Sequence, residues 1–207
     1  SKLFKDLARR RRRLEGRVGP LTFTPLSDDA DALNRLIAWK SARHRQTRQT
    51  PVLERPWATR LLHHLHGLDG DGFRGGLFTL HAGERLLAAQ FHLLGPGVVH
   101  AWQIAHDDGP DLEGVSPGLM LFEDVLRWAA ETGRRELDFG PVAYGFKDRF
   151  ANRTREIGWG FVGRPHPATA FRAGLYAARE AIERAPLGRA RAWPGKAMRR
   201  LDLWRAL

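Results

Sequence analysis

The chain has 207 residues, of which 34 are lysine or arginine and 23 aspartate or glutamate, so its net charge is +11, and it contains no cysteine. This length predicts one ordinary domain, with or without helical appendages. The lack of cysteine excludes disulfide scaffolds, cysteine-ligated metal sites and thiol catalysis. No apolar run approaches the ~18 residues of a membrane span, and the basic first 17 residues are unlike a secretory signal. We therefore expect a cytoplasmic protein, and the absence of an initial methionine predicts a processed start or a fragment.

The positive charge is concentrated at the two ends of the chain. Residues 1–17 carry a net +6 and residues 164–207 a net +7, so the stretch between them is nearly neutral. Basic ends of this kind bind nucleic-acid phosphates, an anionic membrane surface or an acidic partner. Basic helices that only keep a protein soluble have the same composition, so the charge leaves these interpretations open.

The first third of the chain alternates helix and strand signals. Leucines at helical spacing predict a helix over 2–15 that ends near Gly16, and residues 21–26 have the composition of a strand. A second helix is predicted from Ser27 to about His44. A third begins at Pro56, and three of its leucines are expected to face inward: Leu61, Leu62 and Leu65.

Three strand signals then follow one another closely, over 73–80, 85–94 and 98–106. Because the turns between them are short, these strands are predicted to be antiparallel neighbours. The elements predicted after them are a helix over 117–132, a buried strand over 135–140, a loop with a helical turn over 144–152, a strand over 156–163, a helix over 168–185 and a basic helix from about 195. This order predicts a mixed α+β or α/β layer fold, with helices packed on a twisted sheet.

The helix over 117–132 is preceded by Ser116 and begins with Pro117-Gly118. A helix N-terminus carries unpaired backbone N–H groups and about half a positive charge, which together favour an anion. Gly118 has no side chain to keep a ligand away from the backbone. An ordinary capped helix, with Ser116 as its N-cap, explains the same residues.

A second motif, ELDFGPVAYGFKDRF, places Asp138 at the end of an apolar strand. A carboxylate there requires a hydrogen bond or a charged partner. Tyr144, Lys147 and Arg149 follow it, and an acid, a phenol and an amine near the end of a strand can transfer protons or stabilise an oxyanion. A structural ion pair between Asp138 and Lys147 or Arg149 is the alternative.

Taken together, the order Ser-Pro-Gly, long amphipathic helix, Leu-Asp-Phe-Gly and Phe-Lys resembles the GNAT-type acetyltransferase domain of the CelD and FemAB-like branch, whose members are linked to cellulose and exopolysaccharide biosynthesis. The resemblance covers about residues 1–165, and its specific part is 115–150. It implies a GNAT-like twisted mixed sheet, mainly antiparallel and flanked by helices. It also implies a basic linking helix over 1–17, a GNAT-like acyltransferase domain over 18–165 and a basic helical tail over 166–207.

The resemblance also implies a co-substrate, acetyl-CoA or another acyl-CoA, bound where two central strands part. We expect no metal, because the histidines lack a metal-binding motif. The strand over 98–106 would be one of these two strands. Backbone amides near Ser116, Gly118 and Leu119 would then face the pyrophosphate. Amides around Trp102 and Gln103 would bond the pantetheine and the developing oxyanion.

For catalysis we select Lys147 as a charge near the oxyanion or the acceptor, Asp138 as the group that orients it, and Tyr144 as the acid. His106, Phe146 and Arg149 are the candidate acceptor-binding residues. An acidic pair that family members often carry after Asp-Phe-Gly is replaced here by Ala143-Tyr144, so the resemblance supplies no general base. His63 and His66 share a helix face, but no metal motif surrounds them.

Three functions are compatible with these features. The first is an acyl-CoA-dependent N- or O-acyltransferase acting on a sugar or another cell-surface precursor, in the cytoplasm or at the inner face of the membrane. The second is a FemAB-like transferase with an aminoacyl-tRNA donor, or another tRNA-binding module that uses the basic ends. The third is a half-protein with a structural role, because relatives of this branch often carry two such domains and an N-terminal GNAT-like half would be its missing partner.

Overall fold

The computed structural model describes residues 2–70, 72–141, 145–158 and 163–185. The chain forms two compact units, Ser1–Thr154 and Arg155–Leu207. The described helices are α1 (Lys2–Val18), α2 (Ala30–Gln46), α3 (Pro56–His66), α4 (Pro117–Glu131), α5 (Lys147–Phe150) and α6 (Pro167–Arg184), with single 3-10 turns at Val52–Glu54 and Pro110–Leu112. The described strands are β1 (Leu21–Ser27), β2 (Asp69–Gly70), β3 (Phe73–Ala82), β4 (Arg85–Gly95), β5 (Val98–His106) and β6 (Glu136–Asp138).

The strands form one sheet in the order β1-β3-β4-β5-β6, and β2 adds to an end of β3. All described pairs are antiparallel except β5 and β6, which are parallel. The mixed and mainly antiparallel sheet expected from the sequence is therefore confirmed, as is the antiparallel arrangement of the three consecutive strands. A parallel pair needs a crossover, and α4 provides it.

The two parallel strands pair over only three residues, from Val98 opposite Glu136 to His100 opposite Asp138. β5 continues to His106, and beyond His100 no described strand pairs with it on that side. The sheet is therefore open between these two strands, with backbone groups of β5 along the edge of the opening.

A bulge interrupts the pairing of β5 with β4. His92 lies opposite Ala101 and Phe91 opposite Gln103, so Trp102 is the extra residue. Because side chains alternate between the faces of a strand, one extra residue reverses the alternation beyond it. Val99, before the bulge, accordingly packs on one face of the sheet and Ala105, after it, on the other.

Each face of the sheet has its own hydrophobic core. One core packs α1 and α4 against the sheet, with members such as Leu14, Phe78, Leu94, Met120 and Val125. The opposite core packs α2 and α3 against it, with members such as Leu33, Leu36, Leu62, Leu77 and Phe91. Each such side chain stabilises the fold by roughly 1.5–3 kcal/mol through burial. The helices α2 and α4 thus lie on opposite faces of the sheet.

The start of α2 follows the expected capping chemistry. Asp29 is the N-cap of α2, and its carboxylate accepts hydrogen bonds from the amides of Asp31 and Ala32 at 2.8 and 3.0 Å. α1 passes through Gly16 and ends at Val18, three residues after the predicted end at residue 15, because nothing in a single glycine prevents helical geometry.

Two predictions about burial are wrong. Leu61 is 40% exposed, because the inward stripe of α3 is set by Ala58 and Leu62, and Leu61 lies about 100° away from it. β6 is half-buried along its length rather than buried.

The predicted strand over 156–163 does not form at 156–158, and residues 159–162 lie outside the described residues. The predicted helix over 168–185 is confirmed as α6, and the basic helix expected from about 195 falls outside the described residues. In the described part of the chain no helix combines the length and apolar character that crossing a bilayer requires.

Candidate functional site

A cavity of about 390 Å³ lies where β5 parts from β6. Seven of the residues selected from the sequence line it: Trp102, His106, Ser116, Gly118, Leu119, Phe146 and Lys147. Gln103, Asp138 and Arg149 are not among the described lining residues, and Tyr144 lies outside the described part of the chain. The lining also includes five residues that the sequence analysis did not select: Lys40, Ala101, Ile104, Phe122 and Phe139.

The first turn of α4 forms one wall of the cavity. Ser116 has a left-handed backbone, with φ 61°, and its side chain does not cap the helix. Its carbonyl instead accepts hydrogen bonds from the amides of Leu119 and Met120, at 3.0 and 3.3 Å. Within the described chain, the amides of Ser116 and Gly118 have no hydrogen-bond acceptor, so the unpaired donors of this turn are these two and not that of Leu119.

His106 packs directly on Gly118. A Cβ atom built at Gly118 would lie 3.0 Å from Cδ2 of the His106 ring, which is tighter than nine in ten observed contacts of a Cβ atom. The Nδ1–H group of His106 donates a hydrogen bond to the Asp107 carbonyl at 2.9 Å. In the neutral ring this leaves Nε2 as the hydrogen-bond acceptor.

Two buried polar side chains connect the sheet to the first turn of α4. Gln90 donates from Nε2 to the Gly118 carbonyl at 2.9 Å, and His92 donates from Nε2 to Oε1 of Gln90 at 3.0 Å. Both side chains are fully buried, and burial lowers the pKa of His92 to about 3. This neutral pair holds the turn at a fixed height above β4.

The other side of the same turn is held by arginines of α1. Arg10 donates to the Gly114 carbonyl at 3.1 Å, and its Nη1 lies 3.5 Å from the Ser116 hydroxyl. Arg11 forms an ion pair with Asp124 of α4 at 2.5 Å. Burial raises the pKa of Asp124, and Arg11 opposes that shift. Part of the arginine run therefore serves to position the cavity wall.

The edge of β5 forms the opposite wall. The amide of Asp107 donates to the Leu87 carbonyl of β4 at 2.9 Å. Since hydrogen-bonded positions alternate along an antiparallel ladder, Gln103 must also point its amide and carbonyl toward β4, and Ile104 must point both toward the opening. The position of Lys40 supports this assignment, because its ammonium lies 3.5 Å from the Ile104 carbonyl, on the side of β5 away from β4.

Lys147 is positioned by an aromatic cluster around Phe122 of α4. The Phe122 ring lies 5.1 Å from Phe139, 5.9 Å from Phe146 and 5.1 Å from Phe150, measured between ring centroids. These contacts hold α5 and the residue before it against α4. Such a cluster joins distant parts of the chain, so helical periodicity around Phe122 gave no signal of it.

The charge environment of Lys147 has two components. Burial lowers the pKa of its ammonium, and the charge of Asp138 opposes that shift. The Asp138 carboxylate accepts a hydrogen bond from the Gly140 amide at 2.8 Å and contacts Nδ1 of His100 at 3.3 Å. Arg149 lies on the exposed side of α5.

The sequence of α2 contains a signal for Lys40, which is not among the predicted site residues. It lies four and seven residues after Leu36 and Leu33, so it continues the buried stripe of α2. A lysine in such a stripe either packs its aliphatic stem on the core and extends its ammonium to solvent, or it serves a functional site. In the structure it reaches the cavity, and burial lowers its pKa.

None of the described residues group into a metal site. His66 of the predicted histidine pair is instead engaged with the chain itself, since its Nε2–H group donates to the Ser27 carbonyl at 2.8 Å.

Residues 1–148 match the family described as the acetyltransferase (GNAT) domain. The chain belongs to this GNAT family. Members use an acyl-CoA as co-substrate and include acetyltransferases that act on small molecules. A search of curated proteins found no match.

Several solved structures are similar to this GNAT domain. An aminoglycoside acetyltransferase, meta-AAC0020, from an uncultured soil metagenomic sample, solved with sisomicin, is 12% identical over 69% of this chain and 95% of its own, with a TM-score of 0.48. A second one, HMB0005, from another such sample, is 14% identical over 70% of this chain and 99% of its own, with a TM-score of 0.46. A tandem GNAT protein from the clavulanic acid biosynthesis pathway is 20% identical over 56% of this chain and 34% of its own, with a TM-score of 0.40.

Proposed function

We propose that this GNAT domain belongs to the CelD and FemAB-like branch and transfers an acyl group from an acyl-CoA to an amine or hydroxyl of a sugar or other cell-surface precursor. The observation that carries the proposal is that the open edge of β5 and the start of α4 line one cavity. The Ser-Pro-Gly motif contributes Ser116 and Gly118 to the lining of this cavity, and the Asp-Phe-Gly motif contributes Phe139. The two motifs together support the choice of branch.

The phosphates of the acyl-CoA are assigned to the first turn of α4. The amides of Ser116 and Gly118 are available as donors, and the helix N-terminus adds about half a positive charge. The Arg10 guanidinium, whose Nε is paired with Asp6 at 2.8 Å, lies beside the Ser116 hydroxyl and adds a further donor there. The pantetheine arm is assigned to the edge of β5, where the Ile104 amide replaces that of Gln103 in our original assignment.

In the reaction, the acceptor nitrogen or oxygen forms a bond to the thioester carbon and loses a proton, the C–S bond breaks, and the leaving thiolate takes up a proton, so that the net products are the acylated acceptor and free CoA thiol. We assign the developing oxyanion to the Trp102 and Ile104 region of β5 and to the ammonium of Lys147. Asp138 is a positioning residue that acts on Lys147 through its charge. Tyr144 is retained as the acid that protonates the leaving thiolate, and His106, Phe146 and Arg149 as acceptor-binding candidates.

Calorimetric titration with acetyl-CoA tests the proposal. We expect saturable binding, and we expect Gly118→Ala to weaken it at least tenfold, because the added Cβ displaces the His106 ring and stands between the ligand and the helix amides. Gly174→Ala is the matched control, since a Cβ at that helical glycine meets nothing within 4 Å. It should leave the affinity unchanged.

No saturation with acetyl-CoA up to millimolar concentration would overturn the proposal. Binding of tRNA in its place, with an affinity that falls steeply as salt is raised, would establish the tRNA-dependent alternative. Absence of binding to both would leave the structural role.

A further inference from the structure

Lys40 occupies the side of the cavity opposite to the first turn of α4. It lies on α2, which packs on the other face of the sheet from α4. Its side chain extends to the edge of β5, where the ammonium lies 3.5 Å from the Ile104 carbonyl. A ligand whose phosphates bind at α4 therefore reaches Lys40 only through the gap between β5 and β6. A second ligand that enters from the α2 side meets Lys40 directly.

The charge of Lys40 is poorly compensated. An ammonium offers three donors, and within the described residues it makes one long hydrogen bond, to a neutral carbonyl. No described residue that lines the cavity is acidic, whereas the lining includes a second lysine and a histidine. Burial lowers the pKa of Lys40. The pKa of His44 on the same helix is also lowered, mainly by burial and in addition by the nearby charge of Lys40. A partly desolvated cation of this kind is stabilised by an anion.

We propose that Lys40 is the anion-binding residue of the acceptor site, and that the acceptor is a sugar or similar small molecule carrying a carboxylate or phosphate group. This inference rests on the proposed acyltransferase function and narrows its substrate class. The acid group of the acceptor pairs with the Lys40 ammonium on the α2 side of the gap, and its amine or hydroxyl points through the gap toward the thioester. A polycationic acceptor is disfavoured by the same charges.

The test compares matched ligands on the protein saturated with CoA, so that the phosphate site at α4 is already filled. Glucosamine, glucosamine 6-phosphate and the 6-carboxylate analogue of glucosamine differ only in the acid group, and sisomicin supplies a polycation. By calorimetry we expect at least one acid-bearing ligand to bind tenfold or more tightly than glucosamine, and sisomicin to bind more weakly than that ligand.

Three variants assign the preference to Lys40. Lys40→Met should reduce the preference for the acid-bearing ligand to less than threefold, whereas Lys40→Arg should retain most of it, because the arginine keeps the charge. Arg35→Met removes a positive charge from the exposed side of the same helix and should leave the preference unchanged. Thermal unfolding and CoA affinity establish that each variant is folded.

Equal affinities for the three sugars, no binding of either acid-bearing sugar at millimolar concentration, tighter binding of sisomicin, or a preference that survives in Lys40→Met would each overturn the inference. The comparison of ligands on the wild-type protein tests the preference for an acid group even where a variant does not fold. Failure of CoA itself to bind would overturn the proposed function instead. The sugar comparison on the unliganded protein would then still test Lys40.

Discussion

Lys147 lies on the cavity, and three aromatic side chains hold α5 and its neighbouring segments against Phe122. Its sequence position, nine residues after Asp138, indicated that the two belong to one site. The structure supports this association through the charge of Asp138, which opposes the effect of burial on the pKa of Lys147. The aromatic packing that positions the lysine could not be predicted, since its members come from three separate segments.

If Lys147 stabilises the oxyanion, Lys147→Gln should lower kcat by ten- to a hundredfold and leave the KM for acetyl-CoA within threefold, because the charge acts mainly on the transition state. Release of free CoA thiol, measured with an amino sugar as acceptor, provides the readout. Lys147→Arg is the matched variant and should recover part of the loss. An equal loss of kcat in both variants, or a change confined to KM, would contradict this role.

His92 makes the stability of the fold sensitive to acid. Its pKa is about 3 in the folded protein, lowered by burial, and about 6.5 in the unfolded chain, so between these values the unfolded state binds the extra proton. The free energy of unfolding should therefore be at its full value above pH 6.5. It should fall by up to about 1.4 kcal/mol per pH unit below that pH.

Urea unfolding at pH 7, 6 and 5 measures this dependence. His92→Leu should be less stable at pH 7, because it leaves Gln90 without its donor, but its stability should fall less steeply with acid. His64→Leu, at an exposed position, should retain the steep slope. Parallel slopes in the wild type and His92→Leu would exclude His92 as the source.

The pair formed by α1 and α4 shows how one element fixes another. Leu14 of α1 is fully buried in the core that α4 shares, and Arg11 reaches Asp124 across 113 positions of sequence. The leucine spacing predicted α1 correctly, and amphipathic periodicity predicted α4. Their ion pair could not be predicted, because neither pattern specifies which charged residues of two helices will meet.

Removing Arg11 leaves the partly buried Asp124 carboxylate without its cation. We expect Arg11→Met to lower the free energy of unfolding by roughly 1–3 kcal/mol, measured by urea unfolding at pH 7. A second substitution, Asp124→Leu, should restore much of the loss, since it removes the stranded charge. Arg12→Met, at an exposed position of the same helix, should have almost no effect. Equal losses for the two arginine variants would contradict the importance of the pair.

For the whole molecule, the net charge of +11 overstates what is available to a partner. Arg10, Arg11 and Arg17 of the basic run bond to the loop before α4 or to α4 itself, within the first compact unit. Composition could locate the charge at the two ends of the chain, but it could not separate arginines that bind the protein from arginines that face solvent. Arg12 and Arg13 belong to the second class.

The fold was predictable to the extent that its signals were local. Short turns predicted the three antiparallel strands, a capping residue with apolar spacing predicted α2, and apolar spacing predicted α4. The cavity was predicted in part: Ser116, Gly118 and Lys147 came from motifs and Trp102 and His106 from the strand over 98–106, whereas Lys40 comes from a helix about 60 residues away from β5 in sequence. Such a residue becomes visible only when the chain is folded.

The bulge at Trp102 has a consequence for how this protein can change. Because the extra residue sets the side to which Ile104 and His106 point, shortening the strand by one position would turn both of them out of the cavity. A substitution in this segment changes one side chain, whereas an insertion or deletion of one residue reorients every side chain that follows it in the strand. Related chains that keep this cavity should therefore differ in residue type between Trp102 and His106, but the number of residues between the two positions should stay the same.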